Sequence, residues 1–148
     1  MNPSKEQLLH AYQWDMKFMS IDDIPLANLL ASIESMYPEP TRGRWQAALD
    51  FIYRLITCEL ADITWVGEIE ENLTILFESL ARCPPLQLEP GYWLELQMYG
   101  TEKCVDLINR HHIEWDSNLN PAFAQELEQI FDRYGVGLDK SPLIPIRA

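Results

Sequence analysis

The sequence is short of bases, glycines, cysteines and long apolar runs, and each shortage excludes something. Eleven Lys plus Arg stand against 23 Asp plus Glu in 148 residues, a formal charge of −12. Neutralising phosphate takes Lys and Arg, so no basic surface for DNA, RNA or anionic membrane is expected, and a basic partner is favoured instead. No stretch nears the roughly 18 apolar residues that span a bilayer. Met1 to Gln7 carries neither the basic head nor the apolar core of a secretory leader. The three cysteines, Cys58, Cys83 and Cys104, are an odd number without CxxC spacing. They suit reduced thiols better than a disulfide framework, and a cytoplasmic location is the expectation. Only six glycines occur, and neither a P-loop, a GxGxxG turn nor a GxSxG elbow is among their settings.

What is present has ordinary globular proportions, 47% apolar and 23% charged. The length suits one domain, 1–148. Asn2-Pro3 reads as an N-cap and first-turn proline, followed by Leu8, Tyr12 and Met16 at spacing four. Asp22-Asp23-Ile24-Pro25 opens a second helical pattern, Leu26 to Tyr37, which Pro38 and Pro40 stop. From about Arg44 to Ile63, Trp45, Ala48, Leu49, Ile52, Ile56, Leu60 and Ile63 trace one broad stripe, the mark of a central helix. A fourth pattern follows Gly67 and ends at Pro84-Pro85. Thr101 caps a fifth, running to His112. Asn120-Pro121 opens a sixth that Gly135 closes as a C′ residue. Tyr92 to Tyr99 reads equally as strand or short helix. The expectation is therefore an all-α domain, a compact irregular bundle of about six helices. A small hairpin near residues 86–99 is the alternative for that stretch, and the tail, 136–148, is expected to lie extended over the bundle.

Side chains that could carry chemistry do not converge in the sequence. His111 and His112 are adjacent, so on a helix they diverge by about 100° and cannot share an ion as an i, i+4 pair does. Cys58 and Cys104 sit among apolar neighbours, as buried small hydrophobes do. Glu68, Glu70 and Glu71 crowd an expected helix start, where the dipole favours them. No catalytic residue, metal ligand or cofactor is assigned.

Charge distribution is the informative feature. Between Glu59 and Glu102 lie nine acids and the single base Arg82, a net of −8 out of the total −12. Trp65, Tyr92 and Trp93 fall in the same window. Acids beside aromatics compose a surface that receives a Lys/Arg-rich partner, the charges steering encounter and the rings supplying buried anchors. The candidate partner-binding residues are Asp62, Trp65, Glu68, Glu70, Glu71, Glu78, Trp93 and Glu95.

In general pattern the chain resembles the immunity proteins of bacterial contact-dependent growth inhibition and related polymorphic toxin systems. The resemblance lies in the apolar helix Ala47–Ile63, the acidic helix after Gly67, Trp93 after a proline-rich turn, and Phe131-Asp132-Arg133-Tyr134-Gly135 with its proline tail. It implies a protein without catalytic activity that binds a cognate toxin domain, usually a nuclease such as a tRNA-targeting RNase, and blocks its active site or substrate path. It assigns no individual residue. The competing expectations are another acidic module (adaptor, secretion chaperone or nucleic-acid mimic) and a small enzyme using His111 or His112 with Glu114 or Asp116.

Overall fold

The computed structural model describes residues 3–33, 36–37, 42–66, 69–85, 91–115 and 118–147. Among them the chain is mainly helical but not all-α. Five longer helices, α1 (Lys5–Met19), α3 (Arg42–Thr57), α4 (Leu73–Arg82), α6 (Glu102–Arg110) and α7 (Pro121–Arg133), are joined by two short ones, α2 (Leu29–Ile33) and α5 (Tyr92–Glu95). Three strands, β1 (Ile24–Pro25), β2 (Ala61–Thr64) and β3 (Gln97–Gly100), form an antiparallel sheet ordered β1-β3-β2. No described helix is long and apolar enough to cross a membrane.

Local chemistry explains the helix starts. Ser4 accepts from the Gln7 amide while the Gln7 side chain accepts from the Ser4 amide, a reciprocal box that starts α1 at Lys5. This corrects the expected start: Pro3 precedes the cap and does not occupy the first helical position, and Asn2 lies outside the described residues. Asn72, Thr101 and Asn120 cap α4, α6 and α7 through their side-chain oxygens, the last two as the sequence predicts. Because Asn72 is the cap, Glu70 and Glu71 precede the first turn of α4, which holds no acid.

Three helices end alike. The amide of the residue after a left-handed position reaches five residues back: Leu60 to the Leu55 carbonyl, Ile113 to Ile108, Val136 to Phe131. The left-handed residues are Glu59, His112 and Gly135, and each is followed by a buried apolar side chain. This corrects the helix expected to run to Ile63. Glu59 breaks it, and Leu60 to Ile63 turn away, with Ala61 to Ile63 forming most of strand β2. The stripe persisted because Ile63, like the helical residues before it, faces the core. The second expected helix is also shorter: Ile24-Pro25 pair with β3, a 3-10 turn covers Leu26–Asn28, and α2 holds only five residues. No hairpin occupies the described part of 86–99. Residues 92–99 are instead one turn of helix followed by the central strand.

The sheet register sets Asp62 opposite Tyr99, Ile63 opposite Met98 and Thr64 opposite Gln97. Ile24, Ile63 and Met98 are buried, so Asp62, Tyr99, Thr64 and Gln97 occupy the outer face. Gly100 lies so close to α1 that a Cβ there would stand 2.8 Å from the Met19 carbonyl oxygen. The core itself is centred on Tyr12, which stacks on Phe51 at 3.8 Å and meets the edge of Phe131 at 5.0 Å, joining α1, α3 and α7.

The tail has no regular structure of its own, and α3 holds it. Gln46, Asp50 and Arg54 recur at spacing four on one face of that helix. Arg54 donates through Nε to the Val136 carbonyl (2.8 Å) and through Nη2 to the carbonyls of Gly137 (3.2 Å) and Lys140 (3.0 Å). Asp50 accepts from the Ser141 hydroxyl and the Leu143 amide. Gln46 donates to the Ile144 carbonyl and accepts from the Ile146 amide, so its side-chain amide pairs with the tail as a neighbouring strand would. Gln13 does the same for the segment entering α7, donating to the Asn118 carbonyl and accepting from the Asn120 amide. The Arg147 amide then reaches the Ala81 carbonyl at the end of α4.

Arg54 is buried, and no described carboxylate lies within salt-bridge distance of it, so backbone carbonyls solvate its charge. Removing the guanidinium strands the Val136 and Lys140 carbonyls, while Gly137 keeps the Lys140 amide as a donor. Arg54→Ala is expected to lose roughly 3–5 kcal/mol of stability in urea titrations, against about 1 kcal/mol or less for the exposed Arg82→Ala.

Candidate functional site

The eight sequence-derived residues fall into different settings. Glu68 lies outside the described residues. Asp62 is exposed on the outer sheet face, opposite Tyr99. Glu71 and Glu78 are exposed, the first just before α4 and the second along it. Trp65 is half-buried and packs against the core. Trp93 does not belong with them. Only 1% of it is accessible, and its indole N–H donates to the Cys83 carbonyl at 2.9 Å. The single turn Tyr92–Glu95 explains the difference: it directs Trp93 inward and leaves Leu94 and Glu95 exposed.

Glu70 and Glu95 are brought together. They line one groove of 460 Å³ with Ile69, Ile75, Leu76 and Tyr92. The segment before α4 supplies Ile69 and Glu70, the first turn of α4 supplies Ile75 and Leu76, and α5 supplies the ring and the second carboxylate. Ile75 is 40% exposed although α4 buries Leu76, Leu80 and Ala81. An apolar floor with two acids is thus open to solvent. Leu73 and Leu94 are also exposed but do not line this groove.

The ion pairs lie elsewhere. Every salt bridge among the described residues uses an acid outside the Glu59–Glu102 window: Lys5 with Glu128, and Arg110 with Asp106 and Glu126, where His111 also meets Glu126 at 2.8 Å. Hydrogen bonds from Arg110, with a further one from His111, hold Glu126 down at about 2. In contrast Glu59, Asp62, Glu70, Glu71, Glu78, Glu95 and Glu102 are all exposed and have no cation within 4.0 Å among the described residues.

The residues weighed for catalysis point apart. His111 faces Glu126 on α7, and the Cys104 thiol donates to the Met16 carbonyl in the core. Burial pushes the Cys58 thiol up to about 11 and Cys104 to about 12, so both stay protonated near neutrality. Asp116 lies outside the described residues. Among those described, no three His, Cys, Asp or Glu side chains are placed to hold a metal ion.

Two surface features were not anticipated from sequence. Trp14 and Trp115 meet edge to face at 5.3 Å while 41% and 44% exposed, with Phe18 against Trp115. The signal was available for Trp14, which lies about 200° around α1 from the buried Tyr12. Beside it, a cavity of 260 Å³ is lined by Gln7, His10, Ala11, Trp14, Ser32 and Met36. Ser32 donates at 2.6 Å to Asp15 Oδ1, while the buried Oδ2 has no partner.

No family model, curated protein or solved structure matches this chain.

Burial raises Asp15 from 3.8 to about 7, only partly opposed by Ser32. The folded state therefore binds the extra proton between those values. Its burial penalty is absent below the lower one and complete above the higher, so stability falls as pH rises through that window. Asp15→Asn is expected to remove this dependence, raising unfolding free energy by about 2–4 kcal/mol at pH 8 and little at pH 4. Equilibrium unfolding at both values checks it. The same assay separates core from groove: Trp93→Ala should lose about 3–5 kcal/mol, and Glu95→Gln about 0.5 kcal/mol or less.

Proposed function

We propose that this chain is a non-catalytic inhibitor, an immunity protein that binds a basic toxin domain through the acidic surface centred on residues 59–102. One observation carries the proposal. Seven described acids of this window are exposed and have no cation within 4.0 Å among the described residues, and the window holds a single base, Arg82, so its negative charge is concentrated and unneutralised. Uncompensated carboxylates repel one another, and a cationic partner relieves that repulsion while gaining a steered approach. A nuclease domain has such a surface because it must attract phosphate.

Charge steers encounter, and desolvated apolar groups supply most of the affinity. Ile75 and Tyr92 provide those groups beside Glu70 and Glu95, and Tyr99 provides one beside Asp62. Trp65 and Trp93, turned toward the core, set the backbone that carries them. The groove and outer strand face need no refolding to present these groups. A standard complex buries about 1,200–2,000 Å² in total, and the described chain exposes 8049 Å².

The test is binding to the toxin domain encoded beside this chain's gene. The expected complex has nanomolar affinity, and its association slows steeply as salt rises from roughly 50 to 300 mM. Combined Glu70→Lys, Glu71→Lys, Glu78→Lys and Glu95→Lys should slow association about tenfold or more with unchanged thermal stability. The proposal fails if no toxin domain is encoded there, if that domain does not bind, or if the reversals leave the rate and its salt dependence unaltered.

A further inference from the structure

The Glu70–Glu95 groove has features that select among cationic side chains. Its apolar lining comes from Ile69, Ile75 and Leu76, its aromatic ring from Tyr92, and its two carboxylates from separate elements, the segment before α4 and the end of α5. Neither carboxylate has an ion-pair partner among the described residues. A lysine ammonium is a compact, strongly hydrated point charge, and entering an apolar groove strips that hydration. A guanidinium is planar and less hydrated, carries five donors in a fixed fork, and stacks on an aromatic face. Its alkyl stem covers apolar surface while its head remains polar. The volume of 460 Å³ leaves room for such a side chain together with the backbone that carries it.

We infer that this groove is an arginine-receiving site: a partner arginine lays its stem over the exposed Ile75, places its guanidinium against Tyr92, and donates to Glu70 and Glu95. The arginine belongs to the toxin domain, an assignment that rests on the proposed function; the preference for arginine rests on the groove alone. The contact supplies a local anchor, in contrast to the long-range attraction of the wider acidic surface.

The groove is tested without any toxin, by titrating the full chain with Nα-acetyl-arginine amide and following Ile and Leu methyl and Tyr ring resonances by NMR. The expected result is a saturable shift confined to Ile75, Leu76 and Tyr92. Nα-acetyl-lysine amide should bind about fivefold or more weakly, and the neutral isostere Nα-acetyl-citrulline amide should not saturate. Glu70→Gln and Glu95→Gln should each weaken arginine binding about threefold or more, with the remaining methyl spectrum unchanged to report an intact fold. The inference is overturned by absence of a saturable arginine shift, by equal or stronger binding of lysine or citrulline, or by indifference to both substitutions. An arginine site that persists when the toxin ignores charge reversal would overturn the proposed function alone. A salt-dependent toxin complex beside an unresponsive groove would overturn this inference alone.

Discussion

The buried guanidinium of Arg54 governs how this protein is assembled. A permanent charge taken from water needs polar partners of its own, and here backbone carbonyls supply them. Those carbonyls belong to a segment without helix or strand, whose own turn satisfies Gly137 through the Lys140 amide and leaves Val136 and Lys140 to Arg54. Helix α3 is thereby committed on two sides, packing Leu49, Phe51 and Ile52 into the core and presenting Gln46, Asp50 and Arg54 to the tail. With Arg147 bonded to Ala81 at the end of α4, the same device reaches the helix whose first turn forms the groove. Packing of the tail and geometry of the acidic surface are parts of one assembly.

Gln13 and Gln46 show how a helical protein fixes extended chain without building more sheet. Each side-chain amide pairs with a carbonyl and with the amide two residues on, supplying the partners that an adjacent strand would supply. The sheet proper is small, and β3 is its centre because β1 and β2 both need its edges. The arrangement concentrates irregular backbone at the periphery and leaves α4 and α5 to frame the groove.

Much of this was legible in the sequence where a residue type announces its own geometry. Thr101, Asn120 and Gly135 marked their helix termini correctly. Glu59 and His112 perform the same termination as Gly135 without its glycine, so α3 was extended into β2 and α6 by two residues. Periodicity could not correct the first error, because Ile63 is buried in either conformation. The acids of the candidate site were legible as composition, since their exposure follows from charge. The groove was not, because it needs Ile69–Leu76 to meet Tyr92–Glu95 across a separation set only by tertiary packing. Trp93 was misplaced for a related reason: a single turn decides which of two neighbouring aromatics faces inward, and composition says nothing about that.

The Gln46–Ile146 pairing spans a hundred positions of chain, and Arg54 reaches more than eighty. During synthesis α3 emerges from the ribosome long before residues 136–147, so its polar face stays hydrated until they follow. Local helices can form early, but these contacts close only after the last residues are made, because they join distant parts of the polypeptide. A ribosome paused before residue 136 would hold a chain whose acidic surface is already synthesised but whose scaffold is still unfastened.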